Sequence, residues 1–436
     1  MNKNNNVVMG NVSQKKIKIL AYCDAPSTAT GFATVSRNIF EGLYRTGRYD
    51  IDILGINYWG DPHGFPYRIW PTGTNELKDP YGRKKSANMM VGMDYDILFI
   101  LQDSFIIDFA PDVHTYARSK GKNFRSICYY PIDGAPKEQW INNVNACDHV
   151  VAYSQFGKNE TLKALPTSKE PLVIPHGVNT KEFFIAPEKD VREFRAQYFG
   201  SLADKFIFTN LNRNQQRKDI PRTIAAFVEF RKHVKDSVLY LHMAAQDQGW
   251  NLMEVIKSYG LSSKTDVIFP ENFGPNQGYP RQIVNMIYNI SDCVLSTSLG
   301  EGFGFSWIES MATRTPVIMP DNTMFSEFIT EDNGYLVKSG GNSSLYTILP
   351  HDNEVIRPIV DVDDLVAKML DVYNNKAEAK RRAENAYNMV TTKMDWQNNI
   401  VPMWIKLFDK AYEELKSPAV SVPNVEDTNI IEAETF

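Results

Sequence analysis

Short apolar, β-rich runs alternate with helix-length segments along this chain, and the alternation is played through twice. The first round contains IKILAYC (17–23), DIDILGIN (50–57), DILFILQ (96–102), RSICYYPID (125–133), HVVAYS (149–154) and PLVIPHG (171–177). The second contains KFIFTNL (205–211), SVLYLHMA (237–244), DVIFPEN (266–272), CVLSTS (293–298) and PVIMP (316–320). Runs this short and this apolar suit strands buried on both faces of a parallel sheet, with helices as crossovers. The segments between them carry helical spacing. Val35, Ile39 and Leu43 recur on one face before Gly47, and Ile224, Phe227, Val228 and Arg231 do the same in a helix expected over 221–234.

A chain of 436 residues exceeds what one hydrophobic core supports, and the break near 178–200 divides the two rounds. The expected architecture is α/β: two facing, doubly wound, Rossmann-like domains. The expected limits are a disordered, Asn-rich lead-in (1–16), a first domain (17–178) and a second domain (179–395). A helix (396–416) then crosses back onto the first domain, and an acidic tail (417–436) follows. The stretch 58–93 is rich in Gly, Pro, Trp and Tyr without a sustained period, and reads as an insertion or a long functional loop.

Composition narrows the function classes. The formal net charge of -5 leaves no global electrostatic footprint for nucleic acid or an anionic membrane. The N-terminal stretch has no apolar core of a secretory signal, and no run reaches the roughly 18 apolar residues that span a bilayer. Cys23, Cys128, Cys147 and Cys293 show neither a C-x-x-C pair nor zinc-like spacing. Free thiols in a reducing cytoplasm, in a protein without a transmembrane segment, are the expectation.

The segment 296–320, STSLGEGFGFSWIESMATRTPVIMP, carries the strongest chemical signal. A strand ends, a glycine-rich turn follows, and a helix begins near Ser306. Glycines let a backbone approach a ligand, and a helix N-terminus offers unpaired N–H groups to phosphate. Glu301 and Glu309 flank the turn, and carboxylates accept from paired sugar hydroxyls. Earlier, Arg213 and Lys218 stand five residues apart at a strand–helix turn, beside Arg217. Two cations there suit a leaving diphosphate, on which negative charge grows as a glycosidic bond breaks. No Asp-x-Asp metal site stands out; DVDD (361–364) reads as an acidic helix start.

The run EGFGFSWIESMATRTPVIMP resembles the donor-site signature of the retaining family 4 glycosyltransferases, which have the GT-B fold. The resemblance implies that Glu301 faces the donor sugar, that amides around Gly302, Phe303 and Gly304 approach sugar and phosphates, and that Glu309 accepts from the ribose. It implies diphosphate contacts from Arg213 and Lys218. LVIPHGVNTKEFF (172–184) is similar to the family's interdomain hinge, with His176 where Asn is usual. NTMFSEFITEDNGYLV (322–337) matches the segment after the donor helix, where Glu327 and Gly334 are structural, and Trp396 fits the start of the closing helix.

The first domain matches less closely. PSTATG (26–31) stands where the family has two adjacent glycines, and only Gly31 remains, with Phe32 beside it. Either the loop reaches the donor through its backbone or it is a plain β–α turn. In YYPIDGAPKEQW, where a His is frequent in the family, Asp133 either orients the acceptor hydroxyl or sugar, or caps a helix.

The resulting expectation is transfer of a sugar, with retention, from a nucleoside diphosphate sugar (a UDP-sugar on family frequency) to an acceptor hydroxyl on a glycan, a lipid-linked molecule or another compound. No resident cofactor and no metal are expected. A nucleotide-sugar epimerase or phosphorylase of the same architecture, and a degenerate nucleotide-sugar-binding protein, remain as alternatives. Acceptor choice falls to first-domain loops, among them Trp59, His63, Phe65, Tyr67, Trp70 and Tyr81, which either stack on a ligand or form a satellite core. A modified DNA base as acceptor is disfavoured by the net charge. The donor base is assigned to backbone near 269–272.

Overall fold

A computed structural model describes residues 15–73, 79, 81–274 and 278–416; the expected tail and nearly all of the lead-in lie outside them. Seven parallel strands make the first sheet: β1 (Ile17–Asp24), β2 (Tyr49–Ile56), β3 (Arg68–Pro71), β4 (Ile97–Leu101), β5 (Arg125–Tyr130), β6 (His149–Ala152) and β7 (Leu172–Val173). Their spatial order is β3-β2-β1-β4-β5-β6-β7. The second sheet contains β8 (Phe206–Asn210), β9 (Ser237–Leu241), β10 (Val267–Ile268), β11 (Cys293–Leu295), β12 (Val317–Pro320) and β13 (Tyr335–Val337). Its order, β10-β9-β8-β11-β12-β13, repeats the doubly wound plan with the chain reversing direction beside its first strand.

Continuous apolar runs become strands because both faces of each sheet are covered. In β1, Ile19, Ala21 and Cys23 enter one core while Leu20 and Tyr22 enter the other, and β4 divides Ile97, Phe99 and Leu101 from Leu98 and Ile100 in the same way. All four cysteines are buried and free.

The stretch 58–93 is more ordered than its composition suggests. It supplies the edge strand β3, which pairs in parallel with β2, and the helix Arg83–Gly92. Phe65 stacks on Tyr67 at 5.6 Å and His63 lies 5.9 Å from both Tyr58 and Phe65. The Trp70 indole N–H donates to Asp52 at 3.3 Å. The two main cores flanking the first sheet absorb Tyr67 and Phe65 on one side and Trp70 on the other, while Trp59 (67% exposed) and Tyr81 (42%) stay at the surface.

The chain crosses between the sheets twice, and the crossings run side by side. Val178 N–H donates to the Met394 carbonyl at 2.8 Å and Trp396 N–H donates to the Val178 carbonyl at 3.0 Å. Thr180 Oγ1 donates to Asp395 at 2.7 Å. After a turn at Trp396–Ile400, the helix Val401–Lys416 lies on the first domain. Trp404 packs on Phe99 and Tyr129, Phe408 on Tyr49 and Phe99. Asp409 accepts from Arg48 at 2.9 Å and from the Tyr49 hydroxyl at 2.6 Å.

Trp404 is fully buried, and its indole N–H has no partner among the described residues. Trp404→Ala should cost about 3–5 kcal/mol in urea unfolding. Trp404→Phe should cost much less, because it removes an unsatisfied donor. Equal losses for both would refute this account of how the crossing helix is held.

Candidate functional site

Two turns of the second domain meet at the carboxyl ends of β8 and β11. Beyond β8 the chain makes a short helical turn, Gln216–Lys218, before the helix Ile220–His233. Beyond β11 comes the glycine-rich turn and the helix Phe305–Ala312, whose N-terminus no side chain caps. The turns are laced together. Leu299 N–H donates to the Arg217 carbonyl at 2.8 Å, and Thr297 Oγ1 donates to the carbonyls of Lys218 and Asp219 at 3.1 and 2.9 Å.

This lacing delivers Lys218 onto the Glu301 carboxylate. Arg217 Nη1 stands 3.3 Å from the other oxygen, and Ser298 Oγ donates to Glu301 at 2.7 Å. Burial alone would raise the Glu301 carboxyl, but the Lys218 and Arg217 cations and the Lys218 and Ser298 hydrogen bonds overcome it and hold it at about 2. Burial pulls Lys218 below the usual lysine value, with Glu301 opposing and Arg217 reinforcing the shift. Glu301 is therefore a carboxylate at neutral pH.

The first domain enters through the end of β5. Arg217 Nε lies 3.3 Å from Asp133 Oδ2, and Arg357 Nη1 lies 3.0 Å from Asp133 Oδ1. Arg357 also donates to the Asp133 carbonyl, and Asp352 holds it at 2.7 Å. Arg357 belongs to a two-stranded antiparallel hairpin, β14 (Tyr346–Ile348) and β15 (Ile356–Pro358). The next helix, Glu138–Asn145, starts with Lys137 at its cap position, so Asp133 does not cap it.

Glycines make this approach possible. A Cβ on Gly300 would overlap the Asp133 carbonyl oxygen, and one on Gly302 would sit 2.6 Å from Pro131 Cβ. Gly304 has φ +70°, a region that favours glycine. Phe303 is buried against His176, 4.7 Å between ring centroids. Tyr129 OH donates to the Ile174 carbonyl at 2.7 Å, so the 2.7 Å contact from His176 Nδ1 to that hydroxyl carries the imidazole proton. Burial keeps His176 neutral, well below the usual histidine value.

The remaining expected residues are dispersed. Glu309, on the helix Phe305–Ala312, pairs with Arg281 Nη1 at 3.2 Å and accepts from the Tyr288 hydroxyl at 2.8 Å. Burial raises its carboxyl despite these partners. Arg281 also reaches Thr34 on the first domain's helix Gly31–Arg45. Gly31 opens that helix in an exposed position, where an added Cβ would lie 3.8 Å from the Phe305 ring, and Phe32 packs partly buried behind it. Arg213 stands apart from Glu301: it is exposed and forms a two-pronged pair with Asp247 at 2.7 and 3.2 Å.

Sequence reasoning missed Arg357, Arg281, Tyr288 and Asp103. Asp103 follows β4 at its carboxyl end, the place where open parallel sheets gather ligand-binding residues, and that rule was the available signal. Burial, then the charge of Asp133, push its carboxyl up to about 7 against the pull of Arg217. Its folded value thus exceeds the unfolded one, so the native state holds an extra proton between about pH 4 and 7. Stability from this group falls as pH rises through that window. Asp103→Asn should gain in melting temperature over the parent at pH 8 relative to pH 5; a pH-independent difference would contradict the assignment.

Comparison with known proteins bears on the fold and on the second domain. Residues 191–348 match the family model described as glycosyl transferases group 1. The O-antigen chain mannosyltransferase RfbU of Salmonella typhimurium is 25% identical over 196 residues, 44% of this chain and 47% of that protein. The chain spans about half the length of the curated relatives it matches first. Among solved structures, a sucrose-phosphate synthase from Thermosynechococcus elongatus superposes with TM-score 0.68 at 19% identity, covering 92% of this chain and 100% of that one. HepE of Anabaena, solved with UDP and glucose, superposes with TM-score 0.67 at 17% identity, covering 90% and 100%. The protein has the GT-B fold, and within its second domain residues 191–348 match the glycosyl transferases group 1 model.

Proposed function

We propose that the chain transfers a hexose, with retention of configuration, from a nucleoside diphosphate sugar to an acceptor hydroxyl. The observation that carries this reading is the buried Glu301 carboxylate held between Lys218 and Arg217 beside an uncapped helix N-terminus. Glu301 offers its remaining lone pairs to sugar hydroxyls, and the two cations and the helix N–H groups receive a diphosphate. UDP is the proposed nucleotide; HepE, a structural neighbour, was solved with it. Glu309 keeps lone pairs for the ribose beyond those used by Arg281 and Tyr288.

In the proposed step the C1–oxygen bond to the diphosphate breaks and its electron pair stays on the phosphate oxygen. Lys218 and Arg217 neutralise that charge as it grows, so no metal ion is assigned. The acceptor hydroxyl attacks C1 from the same face, and its proton passes to the departing phosphate oxygen. Arg213, held by Asp247 at the surface, is assigned a lesser share of the diphosphate than Lys218. The four free cysteines suit a reducing compartment, and we assign the protein to the cytoplasm.

Lys218→Ala should lower kcat/KM about 10- to 100-fold, the worth of a charge-assisted contact of about 1.5–3 kcal/mol, and Arg213→Ala should lower it less. Lys218→Ala should also lower the melting temperature, because it strips a buried carboxylate of its nearest partner. The double variant Lys218→Met, Glu301→Gln should regain stability but not turnover. Steady-state kinetics and melting curves on the three variants check this; parent-like turnover in Lys218→Ala would refute the donor site.

A further inference from the structure

On the first-domain side of the charged seam lies a cavity to which the donor reading gives no task. It sits at the carboxyl ends of β4 and β5, between Asp103 and Phe105 on one side and Asp133 and Trp140 on the other, and Val355 of the β14–β15 hairpin closes it. Its empty space, counted with the open solvent at its mouth, is about 340 Å³. Both domains build it. Arg357 of the hairpin grips Asp133, and Glu354 pairs with Lys137 across the cleft at 2.7 Å.

Its chemistry is specific. Phe105 is 43% exposed and lies 5.5 Å from Trp140, with the two rings inclined at 57°. Large rings left open at a cavity mouth offer apolar faces to a ligand that is itself half apolar and half hydroxylated. The Asp103 carboxyl accepts no hydrogen bond from the described side chains or backbone, so its lone pairs are open to the cavity. With its proton held to about pH 7 it both donates to and accepts from hydroxyls. Of the two ionisable groups that line the cavity, Asp133 is paired with Arg357 and Arg217, and Asp103 is left without a cation of its own; Lys137 lies over the Trp140 ring at 5.6 Å.

We propose that this cavity is the acceptor subsite and takes a saccharide, the ring packing on Phe105 and Trp140 and its hydroxyls meeting Asp103. The word acceptor rests on the glycosyltransferase reading; saccharide binding does not.

The test is saturation-transfer NMR on the full chain with the methyl α-glycosides of glucose, galactose and mannose, with and without UDP. At least one glycoside should bind the parent. Phe105→Ala and Trp140→Ala should each weaken it about tenfold or more, while circular dichroism and any UDP-induced melting shift stay as in the parent. Binding of none of the three in either condition overturns the proposal, as does binding that survives both substitutions or that duplex DNA displaces. If the glycosides bind through these rings but no nucleotide sugar shifts the melt, the saccharide site stands and the transferase reading fails.

Discussion

A carboxylate buried where two domains meet must be neutralised, and Glu301 fixes much of the cleft by that requirement. Lys218 and Arg217 can serve it only if the turns after β8 and β11 are laced together, which the Thr297 and Leu299 hydrogen bonds do. Arg217 is shared with Asp133, and Asp133 in turn with Arg357, so the chain of charges passes from the second domain to the first and back through the hairpin. Positive groups are thereby held in place before any ligand arrives. An arrangement already organised around developing charge needs no rearrangement when a bond to phosphate breaks.

The same seam is apolar at its base. One buried cluster includes Ile19 and Phe99 of the first sheet and Val294 and Val317 of the second, joined through Phe303, Trp307, Trp396 and Trp404. Glu327, from the second domain, accepts from the backbone N–H groups of Gln155 and Phe156 and so serves the N-terminus of the first-domain helix Gln155–Ala164. Together with the paired crossings at Val178 and Trp396, these contacts hold the closed arrangement described here.

Much of the fold was legible because burial on both sheet faces leaves a plain mark: uninterrupted apolar runs at strand length, repeated in two rounds. The crossing helix was legible through the family resemblance, in which Trp396 fits the start of the closing helix; Trp404 and Phe408 then bury against the first domain. The edge strand β3 was not, because Arg68–Pro71 is only four residues long and set among turn residues. At the site, Glu301 and Lys218 were readable from a glycine-rich strand–turn–helix and a cation before a helix. Arg213 was read from the same turn, yet its guanidinium is committed to Asp247, a partner 34 residues on that no local pattern announces. Arg357 and Arg281 lie outside any motif; each matters because folding brings it to a carboxylate more than 20 residues away, Asp133 and Glu309.

The most direct test of the central claim is a crystal structure of the protein with UDP bound. The account predicts the diphosphate at the N-terminus of the helix Phe305–Ala312, within hydrogen-bonding distance of Lys218 Nζ, with Glu301 facing the space beyond the second phosphate. A diphosphate bound elsewhere, with Lys218 and Glu301 still paired and untouched, would contradict it.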